Sequence, residues 1–293
     1  MSEESEPVTR GRRAETREMA ELLQLKEEQP ELAEAADLQI ELLELQRRIR
    51  GRLGHPDIEI EPDRVAARVQ AGRPVLAFED VGLDWPEFRL LIRRATDLLL
   101  RFEAIEPPAA DAIQSLAREG RALEPLARHW YEHPCATADA PDRSDAPELP
   151  VDADAIGQVL LVAMRPFLVR AAEAVIARHD LGAWTRGSCP VCGGDPELAV
   201  ITRDARRMLV CSRCFDQWAF DPMACPYCGN ADKARITSFA SRDRLYRIAA
   251  CDVCQRYLKA YDARQTDRPL RIAVDTIATL PLDAAAIQRG YRG

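Results

Sequence analysis

Between residues 189 and 254 the chain repeats one arrangement four times: Cys189/Cys192, Cys211/Cys214, Cys225/Cys228 and Cys251/Cys254. A two-residue spacer lets a tight turn aim both sulfurs at one ion, while backbone N–H groups of the turn hydrogen-bond the thiolates. A tetrahedral site takes four sulfurs, so two pairs make one site. Eighteen residues separate the first pair from the second and 22 the third from the fourth, but only 10 lie between Cys214 and Cys225. These spacings fit zinc ribbons and rubredoxins. Each half opens on the same motif, CPVCG at 189 and CPYCG at 225, and closes on a plainer pair, CSRC and CDVC. The repeat favours two consecutive ribbons, one using Cys189, Cys192, Cys211 and Cys214, the other Cys225, Cys228, Cys251 and Cys254. A cross-brace, with the first and third pairs sharing an ion, is the alternative. A thioredoxin-like redox pair accounts for one C-x-x-C but not four, and iron–sulfur proteins use other spacings. Four thiolates suit zinc and iron alike, so spacing does not choose the metal.

The rest of the chain supplies few other candidates for chemistry. The ninth cysteine, Cys135, stands beside His133 in a stretch with no oriented base, and reads as a bystander rather than a nucleophile. His55, His129, His133 and His179 show no ligand spacing. No phosphate-binding glycine loop or nucleophile elbow is present, so the chain is not expected to be an enzyme. Residues 1–188 carry 24 basic against 36 acidic side chains, and residues 189–293 carry 16 against 12. The acidic half disfavours long-range attraction to nucleic acid. The start is polar and lacks an apolar signal core, and the longest apolar run, Val159 to Ile176, holds Arg165, Pro166, Arg170 and Glu173. Membrane insertion is therefore not expected. A cytoplasmic location is, where thiols stay reduced and free to bind metal.

Helical periodicity dominates the first half. Leu38, Leu42, Leu45 and Ile49 recur within a helix over 31–50. Pro62 opens a short helix that Gly72 and Pro74 close, and Asp84 caps a helix running to Phe102. After Pro107-Pro108 one further helix is expected to carry Ile113, Leu116, Leu123, Leu126 and Trp130. Residues 134–151 have four prolines and read as a linker. A helix over 153–176 follows, with a kink expected at Pro166. From Gly187 the pattern changes to short β-prone pieces, at 198–202, 207–210, 235–239 and 245–249. The end, 275–289, is helical again, with Pro281 interrupting it. The expected architecture is α+β: an α-helical domain at 1–186, a first rubredoxin-like ribbon at 187–222, a second at 223–274 and a C-terminal helical segment at 275–293.

Taken together, these residues resemble the formate dehydrogenase accessory protein family (FdhE). The likeness is concentrated in 187–293. It comprises Gly187, the C-P-V-C-G at 189 with Pro196, then Arg207, Leu209 and Trp218 around the second pair. It continues with the third and fourth pairs, the run Tyr257-Leu258-Lys259, and Asp275, Ala278, Leu280, Leu282, Asp283 and Gly290-Tyr291 near the end. The chain departs from the family pattern after the fourth pair, where Gln255 replaces a glycine and a less tight turn is expected. It departs also at Met208, at Asp221-Pro222-Met223-Ala224, at Thr276 and at Arg289.

The resemblance implies a cytoplasmic, chaperone-like maturation factor with two iron ions, each held by four cysteines, zinc being the other candidate. Its implied partner is the catalytic subunit of a respiratory formate dehydrogenase, acted on before export; a homodimer is compatible with the chain. Two rivals are a nucleic-acid-binding zinc ribbon, using Arg242, Arg244, Arg247 and Arg256 with Phe239, Tyr246 and Tyr257, and a rubredoxin-type electron carrier. With Cys135 a bystander, Cys135→Ser is expected to leave the metal content of purified protein unchanged by elemental analysis.

Overall fold

The computed structural model describes residues 6–54, 58–133 and 152–293, with side chains from residue 16 onward. The linker expectation at 134–151, Cys135 and His55 lie outside the described residues.

Helix α1 (Glu6–Glu28) leads through a short 3₁₀ turn into α2 (Ala33–Arg50), and α3 (Pro62–Gln70) follows. Helix α4 (Trp85–Arg101) starts as its sequence dictates: Asp84 accepts a hydrogen bond from the Glu87 N–H at 3.1 Å and Pro86 occupies the first turn. Its stripe of Phe88, Leu91, Ile92, Ala95 and Leu99 is buried. The single helix expected after Pro107 is two, α5 (Pro107–Glu119) and α6 (Leu123–Glu132). Gly120 breaks them apart: it adopts φ 72° and closes α5 in the left-handed region where glycine has no Cβ penalty.

Helix α7 (Ala153–Ile176) is the apolar spine of this half, and α2, α4, α5 and α6 pack around it. It runs through Pro166. Proline has no N–H to give to the carbonyl four residues earlier, that of Val162. The buried Gln46 of α2 supplies the missing donor, its Nε2 lying 3.2 Å from Val162 O. A lone polar side chain in an apolar helix–helix contact thus repairs a defect that a proline created.

The second half is a six-stranded sheet. Its strands are β1 (Pro196–Ile201), β2 (Arg207–Cys211), β3 (Gln217–Ala219), β4 (Ile236–Ala240), β5 (Tyr246–Cys251) and β6 (Arg256–Asp262), in the order β3-β2-β1-β6-β5-β4. Periodicity located β1, β2, β4 and β5 to within a residue or two, but it missed β3 and β6. Each ribbon is an antiparallel three-strand unit, and the two are fused by parallel pairing of β1 with β6, Leu198 opposite Lys259 through Ile201 opposite Asp262.

The chain ends in α8 (Ile272–Ala278) and α9 (Leu280–Gln288), with Pro281 in the first turn of α9. Both are fastened by carboxylates, the buried Asp275 and the partly buried Asp283. Asp275 accepts from Tyr246 Oη at 2.6 Å and from Arg268 at 2.9 Å, and Asp283 accepts from Tyr257 Oη at 2.8 Å and Lys259 Nζ at 2.9 Å. Helix α1 closes over α8, with Leu22 and Leu25 against Val274 and Ile277 and Glu21 between Arg268 and Arg271.

Gln46→Ala leaves a buried carbonyl without a donor. It is expected to cost roughly 1–3 kcal/mol, read as a lowered midpoint in urea with an unchanged slope.

Candidate metal centres

Every sulfur of the four pairs sits on a tight turn, and the four turns are built alike. In each, the residue after the second cysteine turns left-handed: Gly193 at φ 77°, Phe215 at 62°, Gly229 at 72° and Gln255 at 57°. Its N–H then returns to the carbonyl of the first cysteine, at 3.0 Å (Gly193), 3.2 Å (Phe215), 2.9 Å (Gly229) and 2.9 Å (Gln255). The expected slackening at Gln255 is not seen. The chain accepts the left-handed strain there, and the Gln255 side chain donates back to Asp252 O at 2.9 Å.

The turns bring the sulfurs together in sequential groups, not in a cross-brace. Cys189, Cys192, Cys211 and Cys214 form one cluster and Cys225, Cys228, Cys251 and Cys254 the other, and in each the sulfurs lie within 4.8 Å of one another. The closest are Cys192–Cys211 at 3.4 Å, Cys192–Cys214 at 3.5 Å and Cys189–Cys214 at 3.6 Å; in the second group Cys225–Cys254 and Cys228–Cys251 are both 3.7 Å apart. These are too long for disulfides. A tetrahedron of sulfurs about 2.3 Å from a central ion has edges of about 3.8 Å, so either group can hold a metal ion.

Their surroundings differ. All four sulfur-bearing residues of the first group are buried, whereas Cys228 and Cys254 of the second are partly exposed. Burial pushes the Cys189 and Cys214 thiols well up, while hydrogen bonds from Cys189, Cys211 and Cys214, with help from the Arg213 charge, pull Cys192 well down. In the second group, burial raises Cys225. At Cys251 burial is outweighed by the N–H groups of Cys254 and Val253, and the thiol is lowered. Asp216, 3.9 Å from Cys189 Sγ, is pushed up to about 6 by burial.

The helical half grips the first centre. Val75 and Leu76 donate their N–H groups to Pro190 O and Val191 O at 2.8 and 2.9 Å. The buried Arg213 reaches out of the second turn and caps the end of α6, donating to Tyr131 O at 3.0 Å and Trp130 O at 2.9 Å, with its guanidinium 4.0 Å from the Trp130 ring centre. Arg165 of α7 donates to Ser212 O at 2.9 Å and covers the Phe215 ring. Gly194 has no room for a Cβ, which would meet Arg213 Cδ at 2.8 Å and Cys211 Sγ at 3.1 Å. Four thiolates around a divalent ion would leave a net negative charge, which these two arginines would oppose.

Pattern reading singled out the eight cysteines and no other residue here. Arg213, Arg165, Asp195 and Phe215 carry no spacing signal, since each acts across sequence separations that only the fold closes. Of the residues that suggested nucleic-acid binding, Arg256 is buried against Asp195 and Arg247 pairs with Asp262. Tyr246 and Tyr257 serve Asp275 and Asp283, and Arg289 stacks on Phe239. Arg242 and Arg244 remain exposed on the turn between β4 and β5.

Left-handed backbone costs a residue with a Cβ roughly 1–2 kcal/mol. Gln255→Gly removes that strain at the loss of one exposed hydrogen bond, and is expected to raise the thermal midpoint with metal content unchanged.

No family model matches the chain. Among curated proteins it is 24% identical over 274 residues to the FdhE homolog of Aquifex aeolicus, an alignment covering 91% of this chain and 88% of that one. It is 33% identical over 124 residues to the FdhE homolog of Shewanella baltica strain OS185, covering 41% of each chain. With the FdhE protein of Escherichia coli K12 it shares 30% over 118 residues, covering 39% of this chain and 38% of that. Among solved structures, the crystal structure of the FdhE protein from Pseudomonas aeruginosa superposes with a TM-score of 0.58 at 22% identity, over 95% of this chain and 93% of that one, which establishes a shared fold. With an alignment along nearly the whole chain, higher identity over shorter spans and a common fold, the chain is similar to FdhE proteins in sequence and shares their fold.

Proposed function

We propose that this chain is a non-catalytic accessory protein for the maturation of a formate dehydrogenase catalytic subunit in the cytoplasm. Cys189, Cys192, Cys211 and Cys214 hold one metal ion in this reading, and Cys225, Cys228, Cys251 and Cys254 a second. The observation that carries it is the pair of tetracysteine clusters on a family fold; among the described residues no other group of three or more metal-ligating side chains converges. An all-thiolate donor set fits either iron or zinc. The family resemblance favours iron, which when bound would supply a one-electron couple; zinc would supply shape alone. The chain's own contribution is to hold the sulfurs at tetrahedral spacing and shield the first set from water. No helix among the described residues is long and apolar enough to cross a membrane, which agrees with a factor that meets its client before export.

A rubredoxin-type electron carrier is the second reading, favoured by the partial exposure of Cys228 and Cys254. The visible spectrum and elemental content of anaerobically purified protein separate the cases. Two irons per chain with intense thiolate-to-iron absorption on oxidation are expected; a colourless protein with two zincs would eliminate the carrier. Co-purification with the formate dehydrogenase catalytic subunit, and loss of active enzyme in a deletion strain, are the expected signs of the accessory role. Normal enzyme maturation without the protein would refute it.

A further inference from the structure

The two centres differ in what holds them, and the difference runs one way. The first is held by the helical half, through Val75, Leu76, Arg165 and Arg213. Among the described residues the second has no such anchor on its first turn, which rests on the first ribbon. Arg207 of β2 donates to Ala224 O at 2.8 Å. The next contact is Gly187 against Pro226, so close that a Cβ on the glycine would fall 1.9 Å from the Pro226 carbonyl oxygen. Tyr227 is then clamped: its hydroxyl lies 3.4 Å from Pro196 O, and Arg256 lies 3.6 Å above its ring while pairing with Asp195 at 3.0 Å. Asp195 in turn is tied to the first centre, its carbonyl accepting from the Ser212 N–H at 3.0 Å. The second centre's other turn is held from the C-terminal tail, by Tyr291 Oη on Asp252 at 2.6 Å and by the Arg292 N–H on Gln255 O at 2.8 Å.

On the reading that both clusters bind metal, we infer that the centres have separate roles: the first is a permanent structural site, and the second is the exchangeable one, dependent on the first. Two independent observations meet here. Burial seals every cysteine of the first centre while leaving Cys228 and Cys254 partly exposed. The contacts make the seat of the second centre's first turn a product of the first ribbon, whereas the seat of the first centre is made by helices α6 and α7 and by residues 75–76. Metal binding and local folding are coupled, so an ion lost from the first centre removes the platform of the second. An ion lost from the second leaves the first intact. The second centre is then the one able to exchange metal, or electrons, with a partner.

The test uses the full chain loaded anaerobically with zinc and challenged with excess EDTA, released zinc being followed in time. The expected result is two zincs per chain leaving in two phases of equal size. Cys254→Ser is expected to keep one zinc, released in the slow phase only, and Cys192→Ser to keep none through desalting. Arg256→Met keeps all eight sulfurs and removes only the clamp. It is expected to speed the fast phase about tenfold, equivalent to about 1.4 kcal/mol, and to leave the slow phase unchanged. Release in a single phase, loss of both ions from Cys254→Ser, retention of one by Cys192→Ser, or equal acceleration of both phases by Arg256→Met would each overturn the inference. Wild-type protein taking up fewer than two zincs would instead overturn the metal-site reading on which it rests.

Discussion

The turn at Cys211–Cys214 is where the two halves of the molecule become one. Its cysteines complete the first tetrathiolate group, and its other residues reach into the helices. Arg213 crosses to the carbonyl end of α6, Ser212 O takes a hydrogen bond from Arg165 on α7, and Phe215 lies beneath the same arginine. A buried arginine is expensive unless its donors are met. Here the donors meet helix-end carbonyls that would otherwise lack partners, and the positive charge faces thiolates. The apolar core continues without a break from α4 and α7 into Val191, the first four cysteines and Trp218. The first centre belongs to the core of the protein, and it is not an appendage to it.

That arrangement explains which parts of the fold could be read from residues alone. The cysteine pairs were legible because four sulfurs able to hold one ion need fixed residue types at fixed local spacing. The cap of α4 and the proline starts of α3 and α5 were legible because they act within one turn of helix. The break at Gly120 was overlooked because the apolar spacing carries across it, and only a left-handed φ marks the interruption. Strand β6 was overlooked for a different reason. Tyr257, Leu258, Lys259 and Tyr261 are all buried, so the period-two alternation of a half-exposed strand is missing. The family resemblance had flagged Tyr257-Leu258-Lys259 without a reason; the structure supplies it, since the tyrosine and the lysine both end on Asp283.

The replaced glycine after the fourth pair shows the limits of residue-type rules. A left-handed position favours glycine, yet Phe215 and Gln255 occupy two of the four equivalent turns. Each has a compensating contact, Phe215 with Arg165 and Gln255 with the Asp252 carbonyl. Closing a turn that presents sulfur to a shared centre outweighs the local backbone preference. The same logic places Gln46 among apolar side chains, where its amide answers the donor missing at Pro166.

The parallel seam between β1 and β6 has a consequence for how the chain is made. Leu198 finds its neighbour only when Lys259 has been synthesised, and until then β1 has β2 on one side and an open edge on the other. Parallel pairings of distant segments form late and slowly, because loop closure must precede the contacts that reward it. An open edge between a growing chain and its neighbours is also a template for misassociation. During synthesis, then, the protein passes through an interval in which two thiols, those of Cys225 and Cys228, and one strand edge await a partner from the same chain. The topology thus sets the chain an assembly problem of its own, in which the last strand of the second ribbon closes the open edge of the first.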